Sequence, residues 1–327
     1  MQLSVIIVNW NSLDYLRACL ASLYRHTQDI TFEVIVINND ARDDCKSLLQ
    51  EFPALHLIET GENLGFARAN NLGYSRSQGA FLLFLNPDTE IIGGALARMV
   101  AHLRWHPAVG VAGARLLNSD GSLQTSCVQA FPTLGNQLLE SQVLRRLVPT
   151  WRLWGTRALF QGQPPDADFV SGACLMVKRS VFERVGRFGE EYFMYADDLD
   201  LCYKVRRAGY TVHCLNECQV IHHGGKSSAQ QTDSFSGVLQ RESLALFLRK
   251  TRGPWYCGAY HAAMAGMALI RLSLIICLIP FSGTGLLQGK APRSVFRKWS
   301  RILRWALGFA EWSRPAGASS FPLSQAE

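Results

Sequence analysis

Two groups of acidic residues in this chain have the composition of a site for group transfer. The first is Asn86-Pro87-Asp88-Thr89, which directly follows the apolar run 80–85. Such a run is typical of a strand in the middle of a parallel sheet, and ligands bind outside the carboxyl ends of such strands. We therefore expect the Asp88 carboxylate to face a ligand, where it could hold a divalent cation against phosphate groups.

The second group is Asp197-Asp198-Leu199-Asp200, just before a helical stretch. One carboxylate for a metal and one for a base would suit group transfer. Each group also has a simpler explanation. Asn-Pro-Asp is a common turn sequence, and Asp197 or Asp198 could merely cap the following helix. The case for chemistry therefore depends on further residues of the same site.

The elements that would position these groups alternate between strand and helix. Strands are predicted at 3–8, 33–37, 55–58 and 80–85. Helical spacing of leucines from 13 to 23 predicts a helix with Ser12 as its N-cap, and 66–77 predicts a shorter one. This alternation predicts an α/β fold with a mostly parallel, twisted sheet flanked by helices.

Polar turns follow three of the predicted strands, at 9–11, 38–40 and 63–71. They should open at one edge of the sheet, where Gly65 permits close backbone approach and Arg68 can meet a phosphate. The chain has no G-x-G-x-x-G after its first strand and no G-x-x-x-x-G-K-[ST]. A nucleotide would therefore be held by metal and side chains, although each turn alone could be ordinary loop chemistry.

The charge and the cysteines narrow the class of protein. Residues 1–240 carry 21 Lys and Arg against 23 Asp and Glu, whereas 241–327 carry 12 against 3. The front part lacks the basic stripe of a nucleic-acid-binding protein, so we expect no nucleic-acid partner. The chain opens on a strand without a charged n-region, which argues against a signal peptide. The nine cysteines are better explained as buried apolar residues than as a zinc site at Cys214, Cys218, His222 and His223.

Five motifs in order resemble the family-2 glycosyltransferases, and most closely their rhamnosyltransferase-type branch of bacterial cell-surface polysaccharide synthesis. They are Val-Asn-Trp-Asn at 8–11, Asn-Leu-Gly-Phe-Ala-Arg-Ala-Asn-Asn at 63–71, Leu-Asn-Pro-Asp-Thr at 85–89, Val-Ser-Gly-Ala at 170–173, and Tyr-Phe-Met-Tyr-Ala-Asp-Asp-Leu-Asp-Leu-Cys at 192–202. The resemblance covers residues 1–250. It implies a GT-A fold with a nucleotide-sugar-binding half at 1–115 and an acceptor half at 116–250.

The resemblance also implies inverting transfer of a sugar, rhamnose from dTDP-rhamnose as the best candidate, to a polyprenyl-diphosphate-linked saccharide in O-antigen, capsule or cell-wall synthesis. Asp198 would be the general base. The metal, Mg²⁺ or Mn²⁺, would be bound by Asp88 and His222. The predicted acceptor-binding residues are Asp197 and Lys204, and the predicted donor-binding residues are Asn9, Asn11, Asn38, Asn39, Gly65, Arg68 and Asn86. Asn38 stands where the family usually has an Asp.

The C-terminal part, 251–327, is predicted to be a basic and apolar helical tail that associates with a membrane. A spanning helix needs about 20 apolar residues, and Arg271 and Pro280 interrupt the apolar stretch. Basic residues recur at helical spacing among aromatic and aliphatic ones from 293 to 305, as in a helix on anionic lipid. We expect peripheral or re-entrant attachment to the cytoplasmic face of the inner membrane. A true span, and ordinary helical packing or oligomer contact, remain alternatives.

Two other functions fit the same sequence. A polyprenyl-phosphate sugar synthase would use the same fold on a lipid monophosphate that carries no first sugar. A degenerate domain would bind a nucleotide sugar or a partner protein without turnover. The requirement for both Asp88 and Asp198 separates this last class from an enzyme.

Overall fold

A computed structural model describes residues 1–39, 42–139, 155–156, 166–224, 233–278 and 292–309. The described residues form two compact units. The first contains those up to 131 together with 155–156 and 166–224, and the second contains 132–139, 233–278 and 292–309. Each unit is described by itself below.

The elements up to residue 138 are β1 (Leu3–Asn9), α1 (Leu13–His26), β2 (Phe32–Asn38), α2 (Leu48–Glu51), β3 (Leu55–Glu59), α3 (Phe66–Ser75), β4 (Phe81–Leu85), β5 (Thr89–Ile91), α4 (Ala95–Trp105), β6 (Val109–Leu117), β7 (Val128–Gln129) and α5 (Leu134–Leu138). Those that follow are β8 (Phe169–Val170), β9 (Cys174–Lys178), α6 (Arg179–Arg184), α7 (Asp197–Arg207), β10 (Thr211–His222), α8 (Asp233–Arg252), α9 (Pro254–Leu278) and α10 (Pro292–Ala306).

An eight-stranded sheet with the order β3-β2-β1-β4-β9-β6-β10-β5 organises the first unit. The pairs β3–β2, β2–β1, β1–β4 and β6–β10 are parallel, while β9 is antiparallel to both its neighbours and β5 is antiparallel to β10. The four strands predicted from the sequence form within one residue of their expected bounds. The prediction of a mostly parallel α/β sheet is confirmed.

The centre of the sheet explains why those strands could be read from the sequence. Every residue of β1 and of β4 is buried, so both strands consist almost wholly of apolar residues. The prediction for Ser12 was wrong in its chemistry. Ser12 occupies the N-cap position of α1, but no side-chain cap forms, and its hydroxyl donates instead to Oδ1 of Asn9 at 2.9 Å.

The second unit consists of α5, α8, α9 and α10. The boundary predicted between the glycosyltransferase part, 1–250, and the C-terminal tail, 251–327, falls inside α8. This helix packs with α9 and α10. By length and composition, Pro254–Cys277 is the one helix among the described residues that could cross a bilayer, a criterion that core helices of soluble proteins also meet. Arg271 lies within α9, and its guanidinium lies 4.4 Å from the ring centre of Trp299 on α10. Pro280 lies outside the described residues.

The cysteines behave largely as expected. Seven of them are buried free thiols, whereas Cys257 is half-buried and Cys277 is exposed. Within the described ranges, no three His, Cys, Asp or Glu side chains are grouped as a complete metal site.

Candidate active site

The polar turns that follow β1, β2 and β3 meet at one edge of the sheet, as predicted. The Nδ2 of Asn9 donates to Oδ1 of Asn38 at 3.2 Å, and that of Asn39 donates to Oδ1 of Asn63 at 2.9 Å. Asn9, Asn38 and Asn39 are at most 3% exposed. These three amides therefore hold the turns together, and direct contact between them and a sugar donor stays a prediction.

Asp43 belongs to the same edge, although sequence reasoning missed it. Its Oδ2 accepts hydrogen bonds from Nδ2 of Asn9 at 2.9 Å and from the backbone N of Ser12 at 2.8 Å. Asn11, between these residues, has a left-handed backbone with φ of 52°. Asp43 lies in an irregular loop, so no periodic pattern in the sequence indicated it.

Gly65 brings the edge formed by the polar turns against the segment that leads to Asp198. Its φ is +79°, and a Cβ at this position would lie 2.4 Å from the carbonyl oxygen of Phe193. The same carbonyl accepts a hydrogen bond from the backbone N of Phe66 at 2.8 Å. Glycine is therefore required here for both its conformation and its size. Arg68, one turn into α3, lies 3.7 Å from the carboxylate of Glu190.

Asp88 and His222 lie together at the predicted metal position. The antiparallel pairing of β5 with β10 sets His222 opposite Thr89, and the backbone N of His223 donates to the Asp88 carbonyl at 2.9 Å. The Nε2 of His222 is 3.4 Å from Oδ1 of Asp88 and 3.4 Å from Nδ2 of Asn86. Asp88 is only 2% exposed.

This pair supplies one carboxylate oxygen and one imidazole nitrogen, which suit a divalent cation but do not complete its coordination. Such cations in nucleotide sites take their remaining ligands from phosphates and water. The residues therefore fit a metal that binds together with a diphosphate. Lys226 and Ser227, four and five residues after His222, lie outside the described residues.

One short turn, residues 171–173, links Asp198 to the turn that contains Asp88. Its Oδ2 accepts from the backbone N of Gly172 at 2.8 Å, and its Oδ1 accepts from the backbone N of Leu199 at 2.8 Å. The adjacent Ala173 accepts from the backbone N of Asn86 at 3.0 Å. The turn at 171–173 therefore connects the turn that contains Asp88 to the predicted base.

The environment of Asp198 favours a role in proton transfer. Burial raises the pKa of Asp198, although the N–H groups of Gly172 and Leu199 oppose this. Burial and the Asp198 charge raise the pKa of Asp197 well above its usual range. A carboxylate with a raised pKa is a better base near neutral pH than an ordinary one. Tyr195 and Ala196, just before α7, have φ of 68° and 60°, and strained backbone of this kind clusters at functional sites.

The predicted acceptor-binding residues make internal contacts. Asp197 is only 4% exposed. The Nζ of Lys204 lies 2.8 Å from Oδ2 of Asp200 and 2.6 Å from the carbonyl oxygen of Arg187. Lys204 thus fastens α7 to the preceding loop, and contact of Asp197 or Lys204 with an acceptor stays a prediction.

Comparison with known proteins identifies the class to which this site belongs. The family model "Glycosyl transferase family 2" matches residues 4–186, so the chain belongs to this family and is a glycosyltransferase. It is 27% identical over 291 residues to the N-acetylglucosaminyl-diphospho-decaprenol L-rhamnosyltransferase of Mycobacterium tuberculosis. This alignment covers 84% of this chain and 92% of the relative. It is 25% identical over 228 residues to rhamnosyltransferase WbbL of Escherichia coli K12, with coverage of 67% and 82%.

Solved structures agree on the fold. A mannosyltransferase from Pyrobaculum calidifontis, solved with GDP-Man and Mn²⁺, superposes with a TM-score of 0.52 at 19% identity, covering 94% of this chain and 86% of that one. TarS 1–349 from S. aureus, solved with UDP-GlcNAc, gives 0.51 at 17% identity, with coverage of 96% and 93%. The predicted GT-A fold and the rhamnosyltransferase-like family membership are confirmed.

Proposed function

We propose that the protein transfers rhamnose from dTDP-rhamnose to a polyprenyl-diphosphate-linked saccharide, with inversion and with a requirement for Mg²⁺ or Mn²⁺, in bacterial cell-surface polysaccharide synthesis. The observation that carries the proposal is the turn at 171–173, which joins the Asp88 turn to Asp198 through two backbone hydrogen bonds. The sugar and the lipid-linked acceptor are those named for the mycobacterial relative.

The residues divide the chemistry as follows. Asp198 takes the proton from the acceptor hydroxyl, whose oxygen forms the new bond to the anomeric carbon on the face opposite the leaving diphosphate. The bond from that carbon to the diphosphate breaks, and the stereochemistry inverts. Asp88 and His222 would hold a divalent cation, which offsets the charge that the diphosphate gains. The solved mannosyltransferase contains Mn²⁺ with its nucleotide sugar, which supports this assignment.

The test is release of nucleoside diphosphate from a panel of nucleotide sugars, with lipid-linked saccharide in detergent and with added Mg²⁺ or Mn²⁺. We expect turnover of dTDP-rhamnose that EDTA abolishes. Asp88→Asn and Asp198→Asn should each lower kcat by at least about 100-fold, a typical contribution of such groups. Asp14→Asn is the matched control, because the Asp14 side chain is 97% exposed.

Other outcomes would identify the rival functions. Turnover with a lipid monophosphate that carries no saccharide would show a polyprenyl-phosphate sugar synthase. Donor binding without turnover, even with membrane lipid extract, would show a domain that binds a nucleotide sugar and does not transfer it. Full activity of Asp198→Asn would exclude Asp198 as the base.

The second unit supports a further part of the proposal, attachment to the anionic cytoplasmic face of the inner membrane, peripheral or re-entrant. The exposed face of α9 is uncharged and includes Trp255, Ile270 and Leu274, which are 91%, 64% and 56% exposed. On α10, which has no acidic residue, the exposed basic residues include Arg297, Arg301 and Arg304. Exposed apolar surface on one helix and basic surface on its neighbour suit a lipid interface.

Sedimentation with lipid vesicles tests the attachment. The protein should bind vesicles that contain anionic lipid more tightly than neutral vesicles, and Arg301→Gln with Arg304→Gln should weaken binding by about 10-fold or more, at about 1 kcal/mol per basic residue. Arg249→Gln with Lys250→Gln removes the same charge from exposed positions of α8 and should have a smaller effect. Equal binding to neutral and anionic vesicles would contradict the proposal.

A further inference from the structure

Gln124 connects His222 to the turn at 118–122, and the mechanism above does not use it. Its Oε1 lies 2.7 Å from Nδ1 of His222, and its Nε2 donates to Oδ1 of Asn118 at 3.0 Å. A carbonyl oxygen can only accept, so the proton of this hydrogen bond must lie on Nδ1 of His222. In a neutral ring Nε2 then carries the lone pair, and Nε2 is the atom that faces Asp88.

The orientation of the Gln124 amide is itself determined by its neighbours. The carboxylate of Asp120 accepts from the hydroxyl of Ser122 at 2.5 Å, and that hydroxyl oxygen accepts from Nδ2 of Asn118 at 2.9 Å. Since a carboxylate only accepts, the Ser122 proton is committed to Asp120. Asn118 must then turn its oxygen toward Gln124, which turns its nitrogen toward Asn118 and its oxygen toward His222.

Two further contacts agree with this direction. The Nε2 of Gln124 is also 3.5 Å from the carbonyl oxygen of His222, an acceptor. On the other side of the ring, Nδ2 of Asn86 lies 3.4 Å from Nε2 of His222, and an amide nitrogen there can donate only to an unprotonated ring nitrogen. The neighbouring His223 has different partners: Ser119 contacts its Nδ1 at 2.8 Å, and Glu90 contacts its Nε2 at 2.7 Å.

We propose that Gln124 is a positioning residue that holds neutral His222 in the tautomer protonated on Nδ1, so that the Nε2 lone pair is presented to a divalent cation at Asp88. This inference rests on the proposed function, because the cation is part of it. Histidine ligands commonly donate their second N–H to an oxygen, and removal of that oxygen lowers metal affinity by about 10–100-fold.

Nuclear magnetic resonance of metal-free protein with ¹⁵N-labelled histidine measures the tautomer directly. At about pH 8.5 we expect the ring proton of neutral His222 to lie on Nδ1, with its signals assigned by His222→Asn. Gln124→Met keeps the length but removes the acceptor, so the ring should shift toward protonation on Nε2.

Affinity for Mn²⁺, measured with and without dTDP, is the second readout. Gln124→Met should bind Mn²⁺ about 10–100-fold more weakly than the wild type. The matched control is Gln129→Met, because Gln129 is also half-buried and its amide donates to the carbonyl of Ser126. If Gln124→Met does not fold, Asn118→Leu removes the group that orients Gln124 and should weaken Mn²⁺ binding in the same direction.

Protonation of wild-type His222 on Nε2 would overturn the inference, as would Mn²⁺ affinity unchanged in Gln124→Met. Failure of sugar transfer alone would leave both readouts as expected, and would count against the proposed function only. If the wild type has the expected tautomer but binds no Mn²⁺, the metal dependence of the proposed function fails, and with it the purpose assigned to Gln124.

Discussion

Replacement of Gly65 by Ala should lower both the stability and the activity of the protein. Gly65 joins the edge formed by the polar turns to the segment before Asp198. The new Cβ would lie 2.4 Å from the Phe193 carbonyl oxygen and 2.8 Å from Cδ2 of its ring. A backbone carbonyl cannot move aside without shifting its neighbours. The segment 193–196 must therefore move, or the turn at 63–66 must.

The magnitude follows from two contributions. At Gly65, φ of +79° with ψ of 176° is a conformation that costs a residue with a Cβ about 1–3 kcal/mol. Disruption of the hydrogen bond from Phe66 N to Phe193 O, 2.8 Å long, costs about 0.5–1.5 kcal/mol. Gly65→Ala should therefore lower the free energy of unfolding by about 1.5–4.5 kcal/mol.

Gly61→Ala is the matched control, since Gly61 also has a positive φ, +72°, but nothing lies within 4 Å of its Cβ position. It should cost about 1 kcal/mol. Urea unfolding measures both values, and steady-state kinetics of Gly65→Ala should show a lower kcat, because Asp198 follows the displaced segment. The reasoning would be refuted if the two variants lost the same stability, or if Gly65→Ala kept the wild-type kcat.

Three further predictions concern backbone strain, pH and packing. Ala196→Gly should stabilise the fold by about 0.5–1 kcal/mol in urea unfolding, because φ of 60° is strained for alanine; an unchanged or lower stability would contradict this. Burial, then the nearby His106, His213 and Lys178, lowers the pKa of His102 to about 4. The folded state therefore disfavours protonation of His102, and this contribution to stability is present above about pH 6.5 and is lost as the pH falls toward 4. Over that pH range the free energy of unfolding should fall less in His102→Gln than in the wild type. The difference should be up to about 2 kcal/mol, a value reduced because the ring is only half-buried. If the two proteins lost stability in parallel, the lowered pKa of His102 would be refuted. Gly113→Ala should cost about 1–3 kcal/mol by overpacking, because its Cβ would lie 2.6 Å from the Val170 side chain, and thermal unfolding that matched the wild type would contradict the close packing.

The strands β1 and β4 and the polar turns at the edge of the sheet could be predicted from the sequence. The apolar runs of β1 and β4 and the polar turns after the strands are local signals, since burial selects apolar residues and turns select Asn, Asp and Gly. The prediction that these turns share one edge needed only the rule that parallel strands end on the same side. Ser12 was harder to predict, because its position as an N-cap is local but the partner of its hydroxyl is not.

The role of individual polar residues could not be predicted in the same way. Asn38 and Asn39 look like ligand-binding amides in the sequence, but in the structure they are nearly inaccessible and bond to neighbouring turns. Lys204 is predicted from the sequence to bind the sugar acceptor, and in the structure its ammonium contacts Asp200 and Arg187. A sequence gives the type of a side chain, whereas its partners depend on which segments the fold brings beside it.

The sequence by itself determined the family, the mostly parallel sheet and the two acidic groups, because each of these depends on residues close together in the chain. Only the tertiary structure decided how these parts meet. Gln124 bonds to His222 across 98 positions, and Gly172 bonds to Asp198 across 26. Such contacts form when segments distant in sequence pack together in the fold, and no local pattern of residues encodes that packing.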